Sequence, residues 1–338
     1  MNKLTKLGVS ALCGSLAAVS AANAGELAVS GGVNMSWLSL EDDSTGNPIG
    51  VGSSFGLAGS GELDNGWGVA LSIAMNDGNA YSNTNVVVTI PSLGDVRISQ
   101  GVSGSGIDRM DDSTPNVWEE AYGTGLGTGI NTVSGVAGSS NIEITPSAIM
   151  PDGLTARIAF SPEAAGSGAV HKAGSGAGAT GSGYDVTLTA TSEILGVDGL
   201  TLYGGVSSID KDTDVSTQSG DVDEETLGIT YAMGGFTIGY QISKEDLGTN
   251  TAAQQYDNTG YGITFNVNDD LSVGYNNYES DQTNSGGNVT TEAASFQVAY
   301  TMGGMSIRLA QASIDNAKYQ TTTTYQRDAR TVSVSLAF

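Results

Sequence analysis

The chain has 338 residues, with 36 Asp+Glu against 12 Lys+Arg (formal net charge −24), one histidine and one cysteine. That charge excludes nucleic acid and anionic membrane surfaces as partners, and the Cys/His inventory excludes a disulfide scaffold or a Cys/His zinc centre. With 49 glycines but six prolines, composition alone would suit a low-complexity chain, yet a regular period of two runs through it.

Residues 1–24 read as a secretory signal. Lys3 and Lys6 form a positive start, Leu7 to Val19 is a short apolar run, and Ala22-Asn23-Ala24 is an A-x-A cleavage site. The apolar run is too short to span a bilayer. Cys13 lies inside it, preceded by Leu12 rather than a small residue, which argues against lipidation. Loss of Lys3 and Lys6 takes the net charge to −26 over residues 25–338, expected to form one domain. No segment of it approaches eighteen consecutive apolar residues, so a membrane crossing has to be made by a closed barrel.

Sixteen strands are expected. Leu27, Val29, Val33, Met35 and Trp37 alternate with small or polar residues; after a polar loop (Glu41 to Gly50), Phe55, Leu57 and Leu63 keep the odd parity. Asp64-Asn65-Gly66 is a tight turn. Trp67, Val69, Leu71, Ile73 and Met75 follow in strict alternation, then Val86, Val88 and Ile90, a turn at Pro91 to Gly94, and Val96 and Ile98. Past a long interruption the rhythm resumes at Ile142 and Ile144, turns at Met150 to Gly153, and continues through Leu154, Ile158 and Phe160. A Gly/Ala/Ser-rich loop (Ser161 to Gly183) holds His171. Tyr184, Val186 and Leu188 reach a turn at Gly196 to Gly199, and Leu200, Leu202 and Val206 leave it for an acidic loop, Asp210 to Glu224. Residues 231–240 and 300–309 are near copies of one hairpin, and Phe265 to Tyr275 repeats the theme. Val332, Val334, Leu336 and Phe338 close the chain.

Short turns alternate with longer polar loops, as in a barrel with one short-turn rim and one long-loop rim. Trp67, Tyr231, Phe236, Phe265 and Tyr300 sit beside short turns, where a membrane-interface girdle belongs. The fold class expected is therefore all-β: a transmembrane antiparallel barrel of 16 strands, with residues 102–140 as a long loop folded into the lumen. A loop of that length inside a compact β chain is functional or disordered.

The order of elements resembles the general diffusion porins of Gram-negative bacteria, nearest the sixteen-stranded alphaproteobacterial type. The resemblance is carried by Glu26 to Gly32, by Ser92 to Gly101 leading into the long acidic loop, and by Val332 to Phe338. It implies an outer-membrane channel for passive diffusion of small hydrophilic solutes, a constriction made by the loop, a homotrimer in outer-membrane lipid, and recognition of Phe338 by the barrel-assembly machinery. The chain departs from that family in its few arginines.

Parity decides which charges face inward. Val96 and Ile98, Ala156 and Ile158, and Ile307 and Leu309 face lipid, so Arg97, Arg157 and Arg308 face the lumen, each three to five residues from its short turn. We expect these three to stand against Asp108, Asp111, Asp112, Glu119 and Glu120 on the loop, giving a transverse field and, with acid in excess, a preference for cations. The competing expectation pairs each arginine with a wall acid such as Glu143. Arg109, within the loop, is expected to pair with its neighbouring aspartates.

Other chemistries lack parts. His171 in Gly-rich surroundings is a solvated loop residue rather than a catalytic base, so no enzyme is expected and no cofactor is required. Asp210 to Asp214 and Asp221 to Glu225 carry oxygen ligands that suit Ca²⁺ but lack EF-hand spacing, and are expected to be solvated acid clusters. Gly123 to Gly129 follows no strand into a helix, so a nucleotide loop fails its context. The alternative from another class is a non-conducting surface or adhesive β-protein.

Overall fold

A computed structural model describes residues 27–41, 46–76, 80–164, 180–211, 217–251 and 253–337. The expected signal segment, His171, most of the Asp210 to Asp214 run and Phe338 lie outside these residues. Sixteen strands close into one antiparallel barrel in sequence order, β1 pairing with β16. They are β1 (Leu27–Leu40), β2 (Ile49–Glu62), β3 (Gly68–Asn76), β4 (Ala80–Ile90), β5 (Gly94–Gln100), β6 (Asn141–Thr145), β7 (Leu154–Ser161) and β8 (Thr180–Ala190). The second half comprises β9 (Leu200–Lys211), β10 (Val222–Met233), β11 (Phe236–Asp246), β12 (Ala253–Asn266), β13 (Leu271–Asn284), β14 (Val289–Met302), β15 (Met305–Asp315) and β16 (Arg327–Ala337).

Closure removes every sheet edge, which is what lets strands stand in hydrocarbon. The faces are inverted relative to a soluble barrel. Leu227 is 60% exposed, and Val51, Ile98, Ile158 and Phe296 also stand outside, while the opposite parity buries Ser207, Gln241, Ser280 and Gln297. The register keeps apolar groups together: Phe236 pairs with Phe265 and their rings stack at 4.3 Å. These two, with exposed Trp67 and Tyr300, occupy the short-turn ends as the spacing predicts.

Two boundaries differ from expectation for physical reasons. Asp221 to Glu225 is not a free loop: β10 starts at Val222 because its register with β9 and β11 extends through Asp223 and Glu224. The turn expected at Gly196 to Gly199 is preceded by a single helical turn, Ser192–Leu195, ended by Gly196 in the left-handed region (φ +71).

Candidate pore constriction

The connection between β5 and β6 runs from 101 to 140 and contains two short 3-10 turns, Gly106–Met110 and Ala121–Gly123. Its first and last limbs meet at Asn141, 2% exposed, whose amide donates to Ser105 Oγ (3.1 Å) and to the Val136 carbonyl (3.2 Å). From that neck the connection is fastened to polar-face side chains of many strands.

Three wall carboxylates hold its backbone. Asp185 on β8, fully buried, accepts from Ile107 N–H (3.1 Å) in the first limb and from Val136 N–H (3.2 Å) in the last. Glu224 on β10 accepts from Ser134 (2.9 Å) and Gly135 (2.7 Å). Glu143 on β6 accepts from Gly106 (2.7 Å). Gly106 and Gly135 have φ of +58 and +53, and a Cβ at either would collide with the Asp185 carboxylate. Glycine thus serves both the left-handed turn and the close approach.

Neutral groups complete the fastening. Gln241 on β11 accepts from Ser113 N–H (3.2 Å) and donates to the Met110 carbonyl. Gln297 on β14 accepts from Trp118 N–H (3.1 Å) and donates to the Glu119 carbonyl. Asn276 donates to the same Glu119 carbonyl (3.2 Å), Asn258 to that of Asn131 (2.9 Å), and Thr331 to that of Thr124 (2.8 Å). Leu126 and Ala121 pack with Ala293, Ala312, Ile314 and Ala329 in a small apolar cluster against β14, β15 and β16. Tyr122 meets Tyr278 edge-on at 4.7 Å. Loop N–H groups that no ladder serves, at Gly106, Ile107, Ser113, Trp118 and Ser134, are thus satisfied by wall side chains instead.

The charged residues separate into two groups. Arg97 is paired with Glu143 across the strands in register and lies 3.5 Å from its carboxylate. Arg97 also donates to the Gly104 carbonyl (2.9 Å). Arg109 grips Glu143 with two bonds, of 2.6 and 3.2 Å. Arg157 lies within electrostatic reach of both Arg109 and Glu143. Arg308 stands apart, donating to Ser335 (3.4 Å) and within electrostatic reach of Glu119. Arg109, expected to pair with loop aspartates, instead reaches the wall, because Glu143 is the buried acid that two guanidiniums can neutralise.

The five loop acids interact with one another around Asp112, which is exposed. Burial pushes the Asp111 carboxyl up to about 9, with Asp112 and Asp108 adding like charge. Burial and Asp112 hold Glu120, 4% exposed, well above the usual carboxylate range. Glu119 is raised by burial and Asp112, against an opposing pull from Arg308. Asp108 is raised by burial, partly offset by the Gly104 N–H it accepts. Gln241, Gln297 and Asp185 were not singled out by sequence, and Glu224 entered only as part of the acidic run Asp221 to Glu225. The available signal is a carboxylate or amide flanked on both sides by bulky outward residues, as with Asp185 between Tyr184 and Val186.

The sequence model of the Gram-negative porin family matches residues 8–322. No curated protein sequence matches the chain. Among solved structures it is similar to OmpF of Salmonella typhi in complex with daunomycin, at 12% identity and a TM-score of 0.68 over 92% of this chain and 97% of that one. The anion-selective porin of Comamonas acidovorans is similar at 13% identity and a TM-score of 0.66, over 93% and 100%. Vibrio cholerae OmpT, an outer membrane protein, is similar at 14% identity and a TM-score of 0.66, over 95% and 100%. At these identities the solved structures speak for the fold, and the family match, spanning nearly the whole barrel, goes further: the chain belongs to the Gram-negative porins.

Proposed function

We propose that this outer-membrane porin uses residues 102–140 as its constriction and prefers cations. The single observation that carries the reading is the fastening of the loop to polar-face side chains on strands from β6 around to β16. A segment tied to that many strands of one closed barrel lies across the lumen those strands enclose. Exposed Asp112 and half-buried Asp108, Asp111 and Glu119 then stand where solutes pass, with Glu120 buried behind them, while Arg97 and Arg109 are largely neutralised by Glu143. Rings of acid select cations by attracting them and repelling anions, and the excess here is in acid. The chain converts nothing chemically; polar solutes diffuse through. A homotrimer in outer-membrane lipid fits the family, and Vibrio cholerae OmpT is known in a trimer form. The test is single-channel recording of detergent-purified protein in a planar bilayer under a KCl gradient. Stable steps with a cation-favouring reversal potential are expected. An anion-favouring potential contradicts the role of the acids, and folded, inserted protein without steps contradicts the channel.

A further inference from the structure

The barrel wall is unevenly covered. Away from the short turns, polar-face residues of β9 to β14 such as Ser207, Gln241, Asn276, Ser280 and Ser295 are buried, whereas Ser30, Asn34, Ser54 and Ser60 on β1 and β2 are exposed. The loop is fastened to the first set and meets β1 at Leu38 and Leu40, near that strand's outer end, so open lumen is left beside Ser30, Asn34, Ser54 and Ser60. That second wall carries almost no charge. Among the residues of β1 to β4 only Glu62, at the end of β2, is ionisable as an acid or base other than tyrosine. The register shows how wide the neutral stretch is. The row of paired residues running from Arg97 across β4, β3 and β2 reads Val87, Ala70, Ser60. The row running from Arg308 across β16, β1 and β2 reads Ser333, Ser36, Gly50. Between these two margins the wall offers hydroxyls and amides (Asn34, Ser54, Ser60, Ser72, Asn85) among small apolar residues such as Ala70. Ser333 donates to Asn34 Oδ1 (2.6 Å), and Asn85 donates to Ser72 (2.7 Å).

We infer that solutes pass between the acidic loop and the neutral wall of β1 to β4, a step that rests on the porin reading above. The wall makes uncharged polyhydroxylated solutes, beside small cations, the class passed best. Its hydroxyl and amide groups replace lost hydration bonds of a sugar without a charge to orient it. Zwitterions gain little there, because an orienting field needs a cationic wall facing the acids, and the arginines sit only at the margins. Asn34 and Ser72 are then residues that set specificity, and Ala70 marks the place where a field would be created by one added charge.

The route is tested with single cysteines in the full chain on a Cys13→Ser background, recorded in planar bilayers while a cationic methanethiosulfonate reagent is added. Asn34→Cys and Ser54→Cys are expected to react with loss of conductance. Ser207→Cys and Ser295→Cys are expected to react about tenfold more slowly, because thiol modification follows exposure. The solute class is tested by proteoliposome swelling with an uncharged hexose and a zwitterionic amino acid of similar size. Wild type is expected to admit the hexose at least as fast, and Ala70→Arg to reverse that order. Channels of normal conductance in which Ser207→Cys or Ser295→Cys reacts as fast as Asn34→Cys overturn the route alone. Faster entry of the zwitterion into wild-type vesicles overturns the neutral-wall specificity. Absence of conductance in every protein, wild type included, overturns the porin reading with it.

Discussion

Asp185 joins the two limbs of the loop between β5 and β6, since one buried carboxylate takes backbone amides from Ile107 and from Val136. Hydrogen bonds to a charged acceptor are worth about 1.5–3 kcal/mol each. Asp185→Ala strands both amides in a place water does not reach. We expect it to lower the thermal midpoint and to raise open-channel noise; Asp185→Asn, which keeps one acceptor, has a smaller effect on both. A D185A channel as quiet as wild type contradicts the fastening role. Gly135 is tested separately. Its φ of +53 and the carboxylate beneath it admit no Cβ, and left-handed backbone alone costs an L residue about 1–2 kcal/mol. Gly135→Ala is therefore expected to loosen the last limb, read as faster proteolysis at the loop in folded, detergent-solubilised protein.

At the scale of the element, the two charge groups answer to different changes. Glu143 neutralises Arg97 and Arg109 at once. Glu143→Gln leaves both guanidiniums, and Arg157 beside them, without their counter-charge, so the reversal potential is expected to move toward anions. The acids of the loop respond to pH. Asp111 is raised from 3.8 to about 9 by burial and by its acidic neighbours, so the native state holds that proton more tightly than the unfolded chain. Its contribution to stability is thus largest below 3.8 and is lost as pH rises toward about 9. Over the same window the loop gains negative charge, and cation preference is expected to climb with pH rather than level off near the usual carboxylate range. Asp111→Asn should flatten that climb. The strands themselves were legible in the sequence, because period-two alternation fixes both face and register: Trp67 to Met75 and Phe236 to Tyr240 lie where their spacing predicts. The fastening was not. Asp185 and Gln241 look like ordinary polar-face residues in a strand and Glu224 like one member of an acidic run, and their backbone N–H partners lie 49 to 128 positions away along the chain. Nothing local encodes that pairing, whereas the arginines and loop acids announced themselves by charge.

At the scale of the whole molecule, stability comes from closure rather than from an apolar interior. The exterior is apolar, the opposite face is hydroxyl and amide, and the only buried apolar cluster lying beneath the loop among the described residues is the small one against β14 to β16. On the function proposed above, selectivity depends on charge in an aqueous passage, where screening is strong. The Debye length falls from about 10 Å at 0.1 M to about 3 Å at 1 M salt, so cation preference is expected to shrink over that range while conductance steps persist. A preference unchanged by salt would point to size exclusion instead of the acids.

The loop between β5 and β6 is proposed as the selective constriction of the pore. The most direct measurement is the reversal potential, under one KCl gradient, of wild type beside a channel carrying Asp111→Asn, Asp112→Asn, Glu119→Gln and Glu120→Gln together. The predicted result is a cation-favouring wild type and a variant shifted toward zero or toward anions, with open channels in both. Equal potentials in two conducting proteins would place the selective charge elsewhere in the barrel and contradict the account.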